Sequence, residues 1–199
     1  IPKLEDRAQL FPVAHWIGLR NRVAPRARPR FILGGIESIR GVVEAVSLCR
    51  ADPNLTMVYF GAEDFAAEMG ARRTPSGMEV FHARSQVVLA AKAAHLTAID
   101  QAVTDIRDDT LFREDSARGR ELGYDGKICV LPRQVAIANE AFAPTLGEVE
   151  YARRLVEAYR KAEATGKGTI EFEGKMIDGP LLKRAEQILR MAERMGGKQ

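Results

Sequence analysis

The chain has little of what usually announces a specialised protein class. Only two of its 199 residues are cysteine, Cys49 and Cys129; they stand far apart, each in an apolar segment and with no cysteine or histidine at ligand spacing. That excludes a disulfide framework and a structural zinc site. Aromatic residues make up only 7%, whereas Ala, Val, Leu and Ile are plentiful, a balance that suits helices packed on buried strands better than a β-sandwich. No apolar run approaches the ~20 residues of a membrane span, and no basic leader precedes a hydrophobic stretch. The expectation is a cytoplasmic protein with no place in the membrane. An excess of one charge is lacking too: 30 basic residues face 27 acidic ones, and the net charge of +3 makes no case for a dedicated nucleic-acid binder. The sequence contains no P-loop, no Ser-His-Asp or Cys-His arrangement, no internal repeat and no low-complexity segment.

What is there is a core and a rhythm. Hydrophobic residues at 46% of the chain supply one sizeable domain or two small ones. Short β-rich runs at residues 31–36, 56–60, 96–99 and 128–131 alternate with helical segments, the βαβ pattern of parallel strands. They end at Glu37, at Glu63-Asp64, at Asp100 and at Pro132, and the ends of parallel strands are where α/β proteins build sites. Ile1-Pro2-Lys3 reads like the end of a further buried strand, which suggests that the front of a longer polypeptide precedes it. Five strands are then expected before residue 142, most of a closed eight-stranded barrel but not a whole one, since that takes roughly 250 residues.

Between the strands, Val80, Phe81, Val87, Val88, Ala91 and Ala94 predict one face of a helix that starts near Met78 and closes at His95. From Pro144 the character changes. Thr145 and Glu148 form a capping box opening a helix whose stripe is Val149, Val156 and Tyr159. Residues 169–177 follow with a hairpin turn at Glu173-Gly174, and Asp178-Gly-Pro180 opens a last amphipathic helix. Residues 143–199 thus read as an appendage to the barrel, and its two apolar stripes need a partner surface, which points to a homo-oligomer.

Among candidate sites the pair Glu37 and Asp64 is the sharpest. Each stands just past a strand end in consecutive βα units, and neighbouring parallel strands lie about 4.8 Å apart. Spacing alone leaves two readings open. The carboxylates share one ion, and an all-oxygen pair with room for water suits Mg²⁺; or they serve the N-termini of the helices that follow them. Glu63 is expected to face away, solvated or paired with an arginine. Gly34-Gly35 and Gly61, just before these acids, either let an ion or substrate approach the backbone or serve tight packing. Arg20, Arg22, Arg26, Arg28 and Arg30, broken by Pro25 and Pro29, either hold the phosphates of a bulky ligand or form a solvated loop. His15 beside Trp16, and His82, read as structural or surface histidines. Asp178 reads as an N-cap with proline in the first helical turn.

Taken in order, Pro2-Lys3-Leu4-Glu5, Gly35-Ile36-Glu37-Ser38-Ile39-Arg40-Gly41, Gly61-Ala62-Glu63-Asp64-Phe65, Ala83-Arg84-Ser85, Ala98-Ile99-Asp100, Gly123-Tyr124-Asp125-Gly126-Lys127 and Met176-Ile177-Asp178-Gly179-Pro180 form a series that spans nearly the whole chain. The series resembles the citrate lyase β-subunit-like family of CoA-ester lyases, within the HpcH/HpaI aldolase superfamily. The resemblance implies an α/β fold: a (β/α)8 barrel, here about its last five strands over residues 1–142, with a helix-hairpin-helix extension over 143–199 that contacts a neighbouring subunit of a homotrimer. It implies Mg²⁺ as cofactor, Glu37 and Asp64 as metal carboxylates, and Asp178 as a general acid/base delivered into the neighbour's site. The substrate implied is a CoA thioester or α-keto acid, the reaction retro-Claisen cleavage of a malyl-, citramalyl- or citryl-CoA-like thioester or the reverse condensation, on free CoA or a carrier-protein thioester.

Two departures from the family pattern matter. The arginine and acidic motifs of the first barrel strands have no counterpart, so residues 1–199 resemble the family from about its fourth strand onward. Leu131-Pro132-Arg133-Gln134 stands where members commonly show His-Pro before x-Gln near the CoA, and a leucine cannot make that histidine's polar contact. Both favour an alternative, a non-catalytic truncated or degenerate barrel retained for assembly or ligand sensing; Glu37, Asp64 and Asp178 oppose it.

Overall fold

β-branched and aromatic residues place the first two strands of the computed structural model where the sequence pattern does, at Ile32–Ile36 (β1) and Leu55–Phe60 (β2). The structure describes residues 1–24 and 30–196, which fall into two units, Ile1–Phe142 and Ala143–Gln199. In the first unit β1 and β2 are joined by Thr97–Asp100 (β3) and Gly126–Lys127 (β4) into one parallel sheet in the order β1-β2-β3-β4. Ile36 pairs with Phe60, Tyr59 with Ile99, and Asp100 with Lys127. Sequential parallel strands put every C-terminal end on one edge, so the residues just after β1 and β2 are neighbours.

Two strand expectations shift. The run at 128–131 is not a strand; β4 lies before it. The Val130 and Leu131 amides donate instead to the buried side chain of Gln134, at 2.8 and 3.1 Å, so they turn the chain and cannot extend the ladder. Among the described residues the sheet has four strands, not five. Ile1, however, lies along the outer edge of β1: its amino group donates to the Leu33 carbonyl (2.7 Å) and its carbonyl accepts from the Gly35 N–H (2.7 Å), the hydrogen-bond pattern of a parallel pair. The pattern breaks at Lys3, whose φ is +45°.

A 3-10 turn at Arg7–Gln9 leads into the helix Leu10–Val23 (α1), which the sequence pattern did not announce. His15 and Trp16 are exposed on it, and Arg20 stacks over the Trp16 ring. Short helices Ile39–Val43 (α2) and Ala45–Cys49 (α3) follow β1, and Ala62–Met69 (α4) follows β2. The helix Met78–Ala93 (α5) buries Val80, Val87, Val88 and Ala91 as predicted, but Phe81 is 47% exposed, because one residue further turns it about 100° off the buried face. His95, exposed, ends that segment in the left-handed region at φ +59°. Asp109–Leu122 (α6) and Pro132–Phe142 (α7) complete the unit.

A buried charge network ties four of these elements together. Arg84 on α5 donates to both carboxylate oxygens of Asp100 on β3, at 2.8 and 2.5 Å, and to Asp115 on α6 at 3.0 Å. Lys127 on β4 donates to Asp100 at 3.1 Å, to the Gln101 carbonyl at 2.7 Å and to Asp115. Burial works against charge here, yet the two aspartates hold the Arg84 guanidinium above its ordinary pKa. Asp115 is likewise pushed up by burial but pulled down further by Lys127 and Arg84, and stays ionised. Asp100, fully buried, is therefore a strut and not an open strand-end group.

In the second unit the Thr145-Glu148 capping box opens Leu146–Glu163 (α8). Ile170–Phe172 (β5) and Lys175–Ile177 (β6) pair antiparallel around Glu173-Gly174, both at positive φ (49° and 74°) as a tight primed turn requires. Gly179–Gly196 (α9) closes the unit. Much of its apolar stripe is covered from within: Leu155, Val156 and Tyr159 of α8 pack with Ile177, Ala185 and Leu189. The two helices and the hairpin thus supply much of each other's partner surface, while Leu181 and Met191 on α9 stay exposed.

Candidate active site

Glu37 follows β1 and is buried, with 7% of its surface exposed. One carboxylate oxygen, Oε1, accepts from the Lys3 backbone N–H (2.8 Å) and from the Tyr59 hydroxyl (3.2 Å). The other, Oε2, accepts no hydrogen bond among the described residues. Two glycines make room for this arrangement. A Cβ on Gly35 would stand 2.3 Å from the Tyr59 Oη, so only glycine lets that hydroxyl cross β1. A Cβ on Gly61 would stand 2.4 Å from Glu37 Oε2. Burial first, and then the Glu37 charge, pushes the Tyr59 phenol up to about 12, so it remains a neutral donor.

Asp64 sits in the first turn of α4, exposed, and forms an ion pair with the Lys3 ammonium at 3.1 Å. The hydrogen bond and charge of Asp64, with weaker contributions from Glu37 and Glu68, hold that ammonium above its ordinary pKa. The two acids thus meet one residue through different groups, Asp64 through the Lys3 ammonium and Glu37 through the Lys3 backbone N–H, and Glu37 is no helix cap: Ser38 accepts the Gly41 N–H that caps α2. Among the described residues no group of three or more His, Cys, Asp or Glu side chains is gathered at ion-binding distance. A donor set of two carboxylates, each with an oxygen free of hydrogen bonds among the described residues and one of them paired with a lysine ammonium, fits Mg²⁺, which keeps several waters and takes few protein ligands. Zinc, which takes three or four protein ligands with histidine or cysteine among them, fits a pair of carboxylates less well.

Lys3 and Tyr59 were missed as site residues by sequence reasoning; Lys3 lies within the Pro2-Lys3-Leu4-Glu5 motif, whereas nothing local marks Tyr59. Glu63 faces away and accepts from Arg73 at 2.9 Å, as expected. It lines a cavity of about 240 Å³ with Arg73, Thr74, Gln101, Asp105 and Asp115 at the C-terminal end of β3. Asp178 occupies the N-cap position of α9, and its carbonyl accepts from Leu182 at 3.0 Å. The expected side-chain cap is not made: Pro180 has no N–H to give, and the half-buried carboxylate accepts no hydrogen bond among the described residues. Arg20 and Arg22 are exposed, and Arg30 donates to Asn21 and to the Ala24 carbonyl. Pro25, Arg26, Arg28 and Pro29 lie outside the described residues.

Residues 1–132 match the profile of HpcH/HpaI aldolase/citrate lyase. The chain belongs to this family. A citrate lyase subunit beta-like protein of Deinococcus radiodurans is 42% identical over 95% of the chain, and the human mitochondrial citramalyl-CoA lyase 30% identical over 96%. The chain spans only 64% and 59% of the length of these two family members. Among solved structures, protein CitE of Mycobacterium tuberculosis, in complex with magnesium, acetoacetate and coenzyme A, is similar with a TM-score of 0.78 at 31% identity, over 97% of this chain and 67% of that one. Among the described residues, no helix is long and apolar enough to cross a membrane.

Proposed function

We propose that this chain carries the metal-binding strands of a Mg²⁺-dependent carbon–carbon lyase that cleaves or forms a malyl-, citramalyl- or citryl-CoA-like thioester. The observation that carries it is the meeting of Glu37 and Asp64 on one residue, Lys3, at adjacent strand ends, in a family whose CitE member was solved with magnesium, acetoacetate and coenzyme A. We read the parallel sheet as the later strands of a (β/α)8 barrel, and the assembly as a homotrimer. Glu37 and Asp64 would hold the metal, which supplies Lewis-acid polarisation of the α-hydroxy-acid end. Tyr59 and the Lys3 N–H fix Glu37 so that its free oxygen is aimed before the cation arrives. The proton of the substrate hydroxyl passes to the carboxylate of Asp178 from a neighbouring subunit. The C–C bond then breaks, its electron pair going to the thioester enolate, and Asp178 returns the proton to that carbon, leaving an acyl-CoA and a keto acid.

The test is a coupled assay with malyl-CoA, citramalyl-CoA and citryl-CoA, with and without Mg²⁺, on the longest natural form of the polypeptide. Metal-dependent turnover of one of them, lost in Glu37→Gln and Asp64→Asn proteins that still fold, is the expected outcome. No turnover of any, with Mg²⁺ bound normally by both variants, refutes it. The non-catalytic reading keeps one specific support: Leu131, half-buried beside the Gln134 turn, brings no polar group where the family resemblance implies a histidine.

A further inference from the structure

We infer that the Lys3 ammonium is a displaceable counter-ion at the Glu37–Asp64 site: paired with Asp64, it offsets the site's negative charge in the metal-free protein, and Mg²⁺ binds by releasing it. This rests on the metal reading above and extends it to a residue outside the donor set. The inference starts from the division of labour within one residue. The backbone N–H of Lys3 donates to Glu37 Oε1 at 2.8 Å, while its Nζ lies 3.1 Å from Asp64 Oδ1. The backbone is anchored, because the next residue, Leu4, is fully buried and its N–H donates to the Gly35 carbonyl at 2.8 Å. The side chain is not anchored: 60% of it is exposed, and Asp64 is its one ion-pair partner among the described residues.

Two neighbouring carboxylates, one of them buried, need a compensating positive charge. In the metal-free protein Lys3 supplies it, directly to Asp64 and more weakly to Glu37. A dication held by the two carboxylates would repel the nearby ammonium, and the lysine stem can swing the charge into water while the N–H stays on Glu37. Glu37 therefore keeps its aim in both states, and the site is never left as a bare pair of acids. The cost of the arrangement is affinity, since Mg²⁺ must compete with a cation that is always present.

The experiment is calorimetric titration with MgCl₂, together with thermal unfolding with and without Mg²⁺, on the parent protein and on Lys3→Met, Lys3→Gln and Glu37→Gln. Met and Gln tolerate the left-handed backbone at position 3 as well as lysine does, and keep the N–H. Losing the competitor should tighten Mg²⁺ binding about three- to tenfold in Lys3→Met and Lys3→Gln, and enlarge the rise in Tm that Mg²⁺ produces. Glu37→Gln should abolish binding. Parent-like or weaker affinity in both Lys3 variants, with Glu37→Gln still null, overturns the displacement while the metal assignment stands. Binding by the Lys3 variants but not by the parent supports it most strongly, and no binding by any of them overturns both.

Discussion

Replacing Gly61 by alanine separates space from backbone freedom. Gly61 has φ −101° and ψ 86°, which alanine adopts without left-handed strain, so the substitution should gain about 0.4–1 kcal/mol from a less flexible unfolded chain. Against this, the new Cβ stands 2.4 Å from both Cβ and Oε2 of Glu37, where ordinary contact is 3.4–4 Å. The Glu37 Cβ is not the far end of a flexible chain, so β1 and the β2–α4 turn must part by about 1 Å, an overpacking cost of roughly 1–3 kcal/mol. Rotating the Glu37 carboxylate away instead breaks the Tyr59 hydrogen bond, and bonds to charged groups are worth roughly 1.5–3 kcal/mol. A net loss of about 1–2 kcal/mol is expected in urea unfolding followed by circular dichroism. Mg²⁺ affinity should fall at least about tenfold, because the free oxygen is displaced from its aim. Gly147→Ala, with nothing within 4 Å of its Cβ and a place in α8, is the opposite control and should gain up to about 1 kcal/mol. A Gly61→Ala protein with parental stability and parental Mg²⁺ affinity would refute the claim that the glycine exists to seat Glu37.

Arg84→Met leaves Asp100 and Asp115 buried with Lys127 alone and should destabilise by about 3–5 kcal/mol, read from the urea midpoint; a change under 1 kcal/mol would mean the network relaxes or admits water. Raising the folded pKa of Tyr59 to about 12 contributes stability that is complete below the ordinary tyrosine pKa near 10 and lost as pH rises through 12; ultraviolet titration should show this late phenolate, and Tyr59→Phe should remove it. Asp178 makes no cap bond through its side chain, so Asp178→Asn should leave thermal stability within about 0.5 kcal/mol while costing ~10² to 10⁴ in rate. Mixing inactive Asp178→Asn with inactive Glu37→Gln subunits should restore some activity; none, despite proven subunit exchange, would remove Asp178 from a neighbour's site.

The sequence by itself determined what depends on local periodicity and turn chemistry. Alternating strands and helices, the Thr145-Glu148 box and the Glu173-Gly174 hairpin all follow from side chains interacting with their own or adjacent backbone, and the structure has each of them. The position of Glu37 and Asp64 at consecutive strand ends was legible too, because parallel order places successive ends side by side. Only the tertiary structure decided what meets there. Lys3 and Tyr59 reach Glu37 from 34 and 22 positions away, contacts that no local pattern encodes. Asp100 looked like an open strand-end acid until Arg84 and Lys127, from other elements, closed on it. The strand expected at 128–131 failed for a similar reason: its apolar residues suit a strand, but the Gln134 side chain takes the amides the ladder needs. Periodicity reports which face of an element is apolar; which groups from distant elements share that face, and which of them take its hydrogen bonds, is fixed only when the chain closes.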